Sequence, residues 1–566
     1  MYLSKLHIKG FRCIKETTVE FRRGLNVLIG ENNCGKTSVA DALRLVLATG
    51  SLTRDISLSM DDFYCDESGA RADVVELDAT FAEPTSVEQG IFIEMLAVTT
   101  PGLELQLHLR YNREVRGGVE RWRFRSWGGE KEGQAIAPEV LQLFYYVYLG
   151  ALRDAERDLS PSRGNRLGQL FTKLERDQAK QTQYAGDLQK KLDEDHNWVN
   201  LRRKAETKIK AHLDEVSFEN SKHDVEIAFV PLEFRRIVES LQMRLRRPAG
   251  SAPTRVFEID QNGLGYNNLL YIATVLGDLV ERKNAEPETY VALLIEEPEA
   301  HLHPQLQDTL FNFLEEIAGK GIQILVTSHS PTVSAKTRLD TLSVLQAVGG
   351  SIAALPISKC PLVEDDRLYL ERFLDVTKSQ LLFARGVILV EGISEALLLP
   401  LLAGRTFNLD KRGIEVVSVA GTAFAPFAHL FNAKLESQRL STRCAIVTDD
   451  DSHLSGDVTD RAKATLALEG GLLRVLAARK TFEHELWEAG NGSILAATYA
   501  ELHQRTAVAS AEELIAKLTS NRDKASLAQS LARKLDADAL ARAAFSVPAY
   551  IEKALNWVAN GVEPRD

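Results

Sequence analysis

One stretch constrains this chain more than any other. GLNVLIGENNCGKTS, residues 24 to 38, carries an apolar strand directly into Gly30-Glu31-Asn32-Asn33-Cys34-Gly35-Lys36-Thr37 and on into the helical run KTSVADALRLVL. A GxxxxGK[ST] loop between a strand and a helix is the setting that the P-loop motif requires. Its glycines let backbone N–H groups close around phosphates, Lys36 reaches the β and γ oxygens, and the Thr37 hydroxyl ligates Mg²⁺. Asn32, Asn33, Gly35 and Ser38 complete the expected nucleotide-binding set, and ATP with Mg²⁺ is the expected cofactor.

The strand–helix alternation resumes far along the chain, with VALLIEE, then PQLQDTLFNFLEEIA, then IQILVTSHS, as in the second half of a parallel α/β sheet. Glu296 and Glu297 end the first of these strands, where an acid pair can hold the metal's water shell and polarise an attacking water. Ser328-His329 ends the next, where a γ-phosphate sensor would sit. His301 and His303 in EAHLHP invite a zinc reading, but a loop after the acid pair is commonly an interaction position.

Between the two halves the pattern changes. Strand-like runs fill 70 to 150, helical periodicity takes over from about 160, with Leu167, Leu170, Phe171 and Leu174 on one face, and strand signals return near 224. This predicts an ATPase first half at 1–155, a helical insertion at 156–222, a second half at 223–370, and a separate α/β domain with C-terminal helices at 380–566. Apolar stripes on an inserted arm suggest pairing with a second copy, giving a homodimer or higher even oligomer.

With 566 residues, 45% of them hydrophobic, the chain is long enough for two or more cores. No apolar run approaches 18 residues, and MYLSKLHIKGF alternates like a strand, so no membrane association is expected and the cytoplasm is the expected location. Cys13, Cys34, Cys65, Cys360 and Cys444 are too scattered for a zinc knuckle or a disulfide framework. The net charge of −11 says little about any one face. Basic stretches at 110 to 125 and 234 to 248 are candidate nucleic-acid contacts or solvated faces.

A second acidic pattern lies in the C-terminal domain. VILVEG puts Glu391 at a buried strand end, Glu395 follows one helical turn later, and CAIVTDDD ends a later strand in Asp449, Asp450 and Asp451. Strand alternation would turn Asp449 and Asp451 the same way. Carboxylates meeting in one crevice repel one another unless divalent ions with hard oxygen ligands share the site.

The opening IKGFR and P-loop, with LLIEEPEAHLHP and LVTSHSP, resemble the ABC-type ATPases that include SMC, Rad50 and RecF proteins. In that group a signature segment of one head completes the partner head's nucleotide site. Here QNGLGYNNLLYIA stands at its expected position, with Gly263, Gly265 and Asn267 as donors. The E-G and D-x-D strand ends resemble a Toprim domain. The combination is similar to the OLD (overcoming lysogenization defect) family of ATPase–Toprim endonucleases, which includes the nuclease subunit of the Gabija phage-defence system.

That resemblance implies an ABC-type head, a helical dimerisation insert and a Toprim domain. It also implies Glu391, Glu395, Asp449 and Asp451 as metal ligands, Glu483 for a second metal with Thr481 beside it, and Lys524 as a late basic residue. In this reading Glu297, His329, Glu391 and Lys524 are catalytic. Mg²⁺, with Mn²⁺ or Ca²⁺ as alternatives, would serve the nuclease site. DNA is the expected substrate, RNA is not excluded, and a UvrD-like helicase partner would be encoded elsewhere. The competing reading is a RecF-like DNA-binding ATPase with a decayed Toprim fold, against which the intact set of four acids argues.

Overall fold

The computed structural model describes residues 1–564 except 51–55, 101, 118, 152–154, 219–222, 247–255, 405, 453–456 and 504–506. Three sheets position the functional residues. A parallel sheet runs in the order Leu342–Val348, Leu25–Ile29, Gln323–Ser328, Tyr290–Glu296, Phe144–Leu149, with Ser351–Pro356 added antiparallel at the Leu342–Val348 edge. LNVLI and YVALLIE are buried at every position because layers cover both faces, so neither strand alternates.

On one face lies helix Lys36–Leu47 and an antiparallel sheet built on Tyr2–Phe11, Ile14–Glu20, Val74–Ala82, Leu103–Arg116 and Val119–Gly128. These strands do alternate, as in IKETTVE, because one face of each is exposed. The basic stretch 110 to 125 occupies the last two of them. There Arg110 pairs with Glu76 and Glu132, Arg113 with Asp73 and Glu120, and Arg125 with Glu132. Much of its charge is therefore balanced within the chain. The second basic stretch gives helix Phe234–Glu239 and strand Arg244–Arg246, and its last two residues fall outside the described residues.

The arm comprises helices Arg166–Leu174, Gln178–Glu194 and His196–Val216. The apolar face read from the first helix is divided: Leu167 is buried against the body, while Phe171 and Leu174 are exposed. Tyr184, Trp198, Leu201, Ile209 and Val216 on the longer helices are also exposed. The strand signals near 224 do not make a strand. Residues 224–233 run extended along the arm, held where Glu206 accepts from Ile227 N–H and Gln189 from Leu232 N–H. Hydrogen bonding to helix side chains has replaced a ladder partner.

The C-terminal sheet is parallel, in the order Ile414–Ser418, Gly386–Val390, Arg443–Asp449, Leu473–Ala478. Helices Ile393–Ala403, Lys524–Ala537 and Ala549–Asn560 cover one face. The other face shares a continuous core with the P-loop sheet, from Val27 and Ile295 through Leu370, Leu374 and Leu382 to Leu389 and Ile446. Among the described residues no helix is long and apolar enough to cross a membrane.

Candidate functional site

Parallel register places three strand ends side by side. Glu296 lies opposite Thr327, and Ser328 opposite Ile29, so Glu296-Glu297, Ser328-His329 and the P-loop open on one edge of the sheet. Gly30 has φ 154°, and a β-carbon there would lie 2.4 Å from Leu345 O, so the loop can leave the strand only through glycine. Lys36 is buried, and its ammonium donates to Gly30 O and Glu31 O at 2.8 Å each, inside the loop that it would share with a phosphate. Asn32, Asn33 and Thr37 face outward. Ser38, counted with them from the motif, is buried with its hydroxyl 3.3 Å from Cys13 Sγ.

Glu296 is buried and accepts from Tyr148 Oη at 2.9 Å. Glu297 has φ 46°, which turns its carboxylate outward to His329 Nδ1 at 3.1 Å. The sequence paired Ser328 with His329 as a sensor. Ser328 is instead fully buried and donates to Glu299 at 2.5 Å, so His329 alone reaches the surface. His301 and His303 are both exposed.

Gly263 caps helix Leu264–Ala285, and Gly265 packs so closely that a β-carbon would lie 2.5 Å from His301 O. The expected signature segment therefore abuts the loop after the acid pair. Asn267, expected as a donor of that segment, is buried with its amide donating to Ile259 O at 2.7 Å.

In the C-terminal sheet Val390 lies opposite Val447, so Glu391 emerges beside Thr448 and Asp449. Glu391 Oε1 accepts from Thr448 Oγ1 at 2.5 Å and from Asp449 N–H at 3.1 Å. Glu395, buried in the first turn of its helix, accepts from Gly392 N–H at 3.2 Å. Asp449 Oδ1 accepts from Phe482 N–H at 2.8 Å, which brings Glu483 and the Thr481 helix cap to the same crevice. Lys524 Nζ lies 3.1 Å from Glu483 and 3.9 Å from Asp449.

Strand alternation does not orient Asp451, because the strand ends at Asp449. Asp450 turns away to accept from the N–H groups of Ser452 and Lys480, and Asp451 takes φ 51°. Asp451 pairs with Arg461, whose Nη2 is 3.7 Å from Glu391. The sequence reading missed both Arg461 and Thr448. Arg461 sits in an ordinary polar helix after the D-x-D end, and no spacing rule marks it.

The acids thus form two flanks, Glu391/Asp451 with Arg461 and Asp449/Glu483 with Lys524. Among the described residues no three His, Cys, Asp or Glu side chains converge closely enough to hold an ion as they stand. The donor set nevertheless suits a divalent ion. Every donor is a hard oxygen, and burial pushes the Glu395 carboxyl up to about 7, with Glu483 and Glu391 adding repulsion. Burial likewise pushes Asp449 well up, against the attraction of Lys524, while the neighbouring acids add to the rise. Attraction to Glu483 and Asp449 raises Lys524 in spite of its burial.

A stability consequence follows for chelated protein. A carboxyl raised in the fold stabilises below its unfolded value of 4.5 and loses that contribution as pH rises through about 7. In EDTA the melting temperature should therefore fall between about pH 5 and pH 8. Glu395→Gln should flatten that slope and excess Mg²⁺ should reverse it; a parent profile that is flat in EDTA would contradict this electrostatic picture.

Known proteins resemble this chain in both of its domains. An AAA ATPase domain model matches residues 1–97 and 146–333, about half of the chain, and a model described as overcoming lysogenization defect protein-like, TOPRIM domain, matches 382–451. The chain is 25% identical over 441 residues to the OLD nuclease of Thermus scotoductus, covering 74% of this chain and 78% of that one. It is 23% identical over 488 residues to the Old nuclease of Escherichia phage P2, covering 79% and 78%. Endonuclease GajA of Bacillus cereus matches at 27% over 218 residues, 34% of this chain and 32% of its own. With an AAA ATPase domain that is followed by an OLD-type Toprim domain, this chain belongs to the OLD family.

Proposed function

We propose that this protein is an ATP-binding and ATP-hydrolysing, divalent-metal-dependent endonuclease that nicks or cleaves DNA at the Toprim crevice. The observation that carries the reading is the burial of Glu395, Asp449 and Glu483 at neighbouring strand and helix ends, with the half-buried Glu391 beside them and Lys524 among them. Such a set is costly to keep without cations, and the competing DNA-binding reading gives no reason to retain it. Support for DNA as substrate comes from the family and from relatives named as nucleases. A role in phage defence or DNA processing belongs to the same reading.

Mg²⁺ or Mn²⁺, bound there as a pair, would activate water and neutralise the leaving oxygen of a phosphodiester. Glu391, Glu395, Asp449 and Asp451 would hold the ions, with Glu483 on the second. Thr448 and the Asp449 N–H fix the orientation of Glu391, so its carboxylate is aimed before substrate arrives. The Phe482 N–H does the same for Asp449. Lys524 keeps its proton, so its ammonium can meet the charge that builds on the phosphate.

At the other site Lys36, Thr37, Gly35, Asn32 and Asn33 would bind the triphosphate, with Glu296 at the metal. Glu297, paired with His329, would polarise the attacking water. Gly263 and Gly265 would face a partner head's nucleotide, so pairing of two chains belongs to this reading, and the exposed apolar arm residues suit it.

The two sites are tested by separate variants. Lys36→Ala should abolish ATP hydrolysis, since it removes the cation at the β and γ oxygens, while metal-dependent nicking of plasmid DNA survives at least partly. Asp449→Ala should abolish cleavage and leave ATP turnover near normal. Lys524→Ala should slow single-turnover cleavage at saturating metal by about a hundredfold, the range for loss of one transition-state stabiliser. Plasmid nicking assays with Mg²⁺ or Mn²⁺, with and without ATP, measure all three. Parental cutting by Asp449→Ala would overturn the proposed site.

A further inference from the structure

Among the described residues two basic side chains, Lys524 and Arg461, pair with the Toprim acids, and only Lys524 has a role in the reading above. Arg461 belongs to helix Asp460–Leu466, whose cap Thr459 donates its N–H to Asp450 O at 3.3 Å, so the helix is tied to the same turn that presents Asp451. Its guanidinium pairs with Asp451 and lies 3.7 Å from Glu391 Oε1, the oxygen that already accepts from Thr448 and Asp449. Asp450 spends its carboxylate on backbone N–H groups, and the positive φ of Asp451 directs the next carboxylate to the arginine. The Arg461 side chain is 43% exposed, against 15% for Asp451 and 18% for Glu391. Two further donors hold Glu391, and the cation is the most exposed member of the cluster.

We propose that Arg461 is a positioning and phosphate-binding residue of the nuclease site: it holds Glu391 and Asp451 together as an internal counter-cation, gives them up to a divalent ion, and then grips a DNA phosphate beside the crevice. The proposal rests on the metal-nuclease reading above. Two chemical facts make this division of labour suitable. A guanidinium keeps its charge at any working pH, so it always competes with an ion for the two carboxylates. Its planar fork matches two phosphate oxygens, so displacement from one anion leaves it suited to another. A purely structural ion pair would have no reason to bridge two acids proposed as ligands of one ion.

The test measures Mn²⁺ binding to full-length protein without DNA, by calorimetry, and binding of a labelled duplex in Ca²⁺, by fluorescence anisotropy. Arg461→Ala should bind Mn²⁺ about twofold to fivefold more tightly, the scale of removing one partly exposed ion pair. It should bind the duplex more weakly, with the salt dependence reduced by about one phosphate contact. Arg461→Lys keeps the competing charge but loses the fork, so its Mn²⁺ affinity should stay parental while duplex affinity falls. Unchanged or weaker Mn²⁺ binding by Arg461→Ala, or parental duplex binding by both variants, would overturn the assignment. Asp449→Asn separates the two levels. If it too binds Mn²⁺ like the parent, the metal site itself is misplaced; if it loses Mn²⁺ while Arg461→Ala is unaltered, only the role of Arg461 falls.

Discussion

Charge balance in a buried crevice is the constraint on which the C-terminal half depends. Parallel strands deliver their ends to one edge of a sheet, and here the residues delivered are acids. An ionised carboxylate taken from water needs a compensating cation or it takes up a proton. The fold supplies two cations, Lys524 from the start of a late helix and Arg461 from the helix after the D-x-D turn. Both sit at the mouth of the crevice rather than beneath it, which lets them serve as counter-ions in one state and as phosphate contacts in another.

The same sheet meets the nucleotide-binding edge at its opposite end. Arg385, immediately before strand Gly386–Val390, pairs with Glu31 of the P-loop at 2.9 Å, and Gln346 donates to Thr442 at 2.9 Å across the same boundary. The Arg385 side chain is largely exposed, so the pair contributes at most about 1 kcal/mol. The shared core that runs from Val27 to Leu389 and Ile446 does the anchoring. One five-residue strand, about 17 Å long, separates the P-loop contact from Glu391.

Features that depend on local chain chemistry were legible in the sequence. The P-loop lies in its strand–helix setting after the buried strand LNVLI, and the apolar runs YVALLIE and GVILV are buried strands ending at the expected acids. Features that depend on what a segment meets were not. Residues 224–233 have strand-like composition but find arm side chains instead of a ladder. Ser328 was read with His329 as a sensor and Asn267 as a donor of the signature segment, yet tertiary packing gives Ser328 to Glu299 and Asn267 to Ile259 O. Asp451 lies beyond the end of its strand, where alternation carries no information. Lys524 came only from family resemblance, and Arg461 from neither, because no periodicity of the sequence ties either of them to the acids that it meets.

Crystals grown with Mn²⁺ and examined by anomalous scattering test the charge-balance account most directly. The account requires Mn²⁺ among Glu391, Glu395, Asp449 and Asp451, with the Arg461 guanidinium moved off Asp451 to make way. An empty crevice at saturating Mn²⁺, with Arg461 still on Asp451 and Lys524 still on Glu483, would contradict it and leave the acids as a closed network of ion pairs.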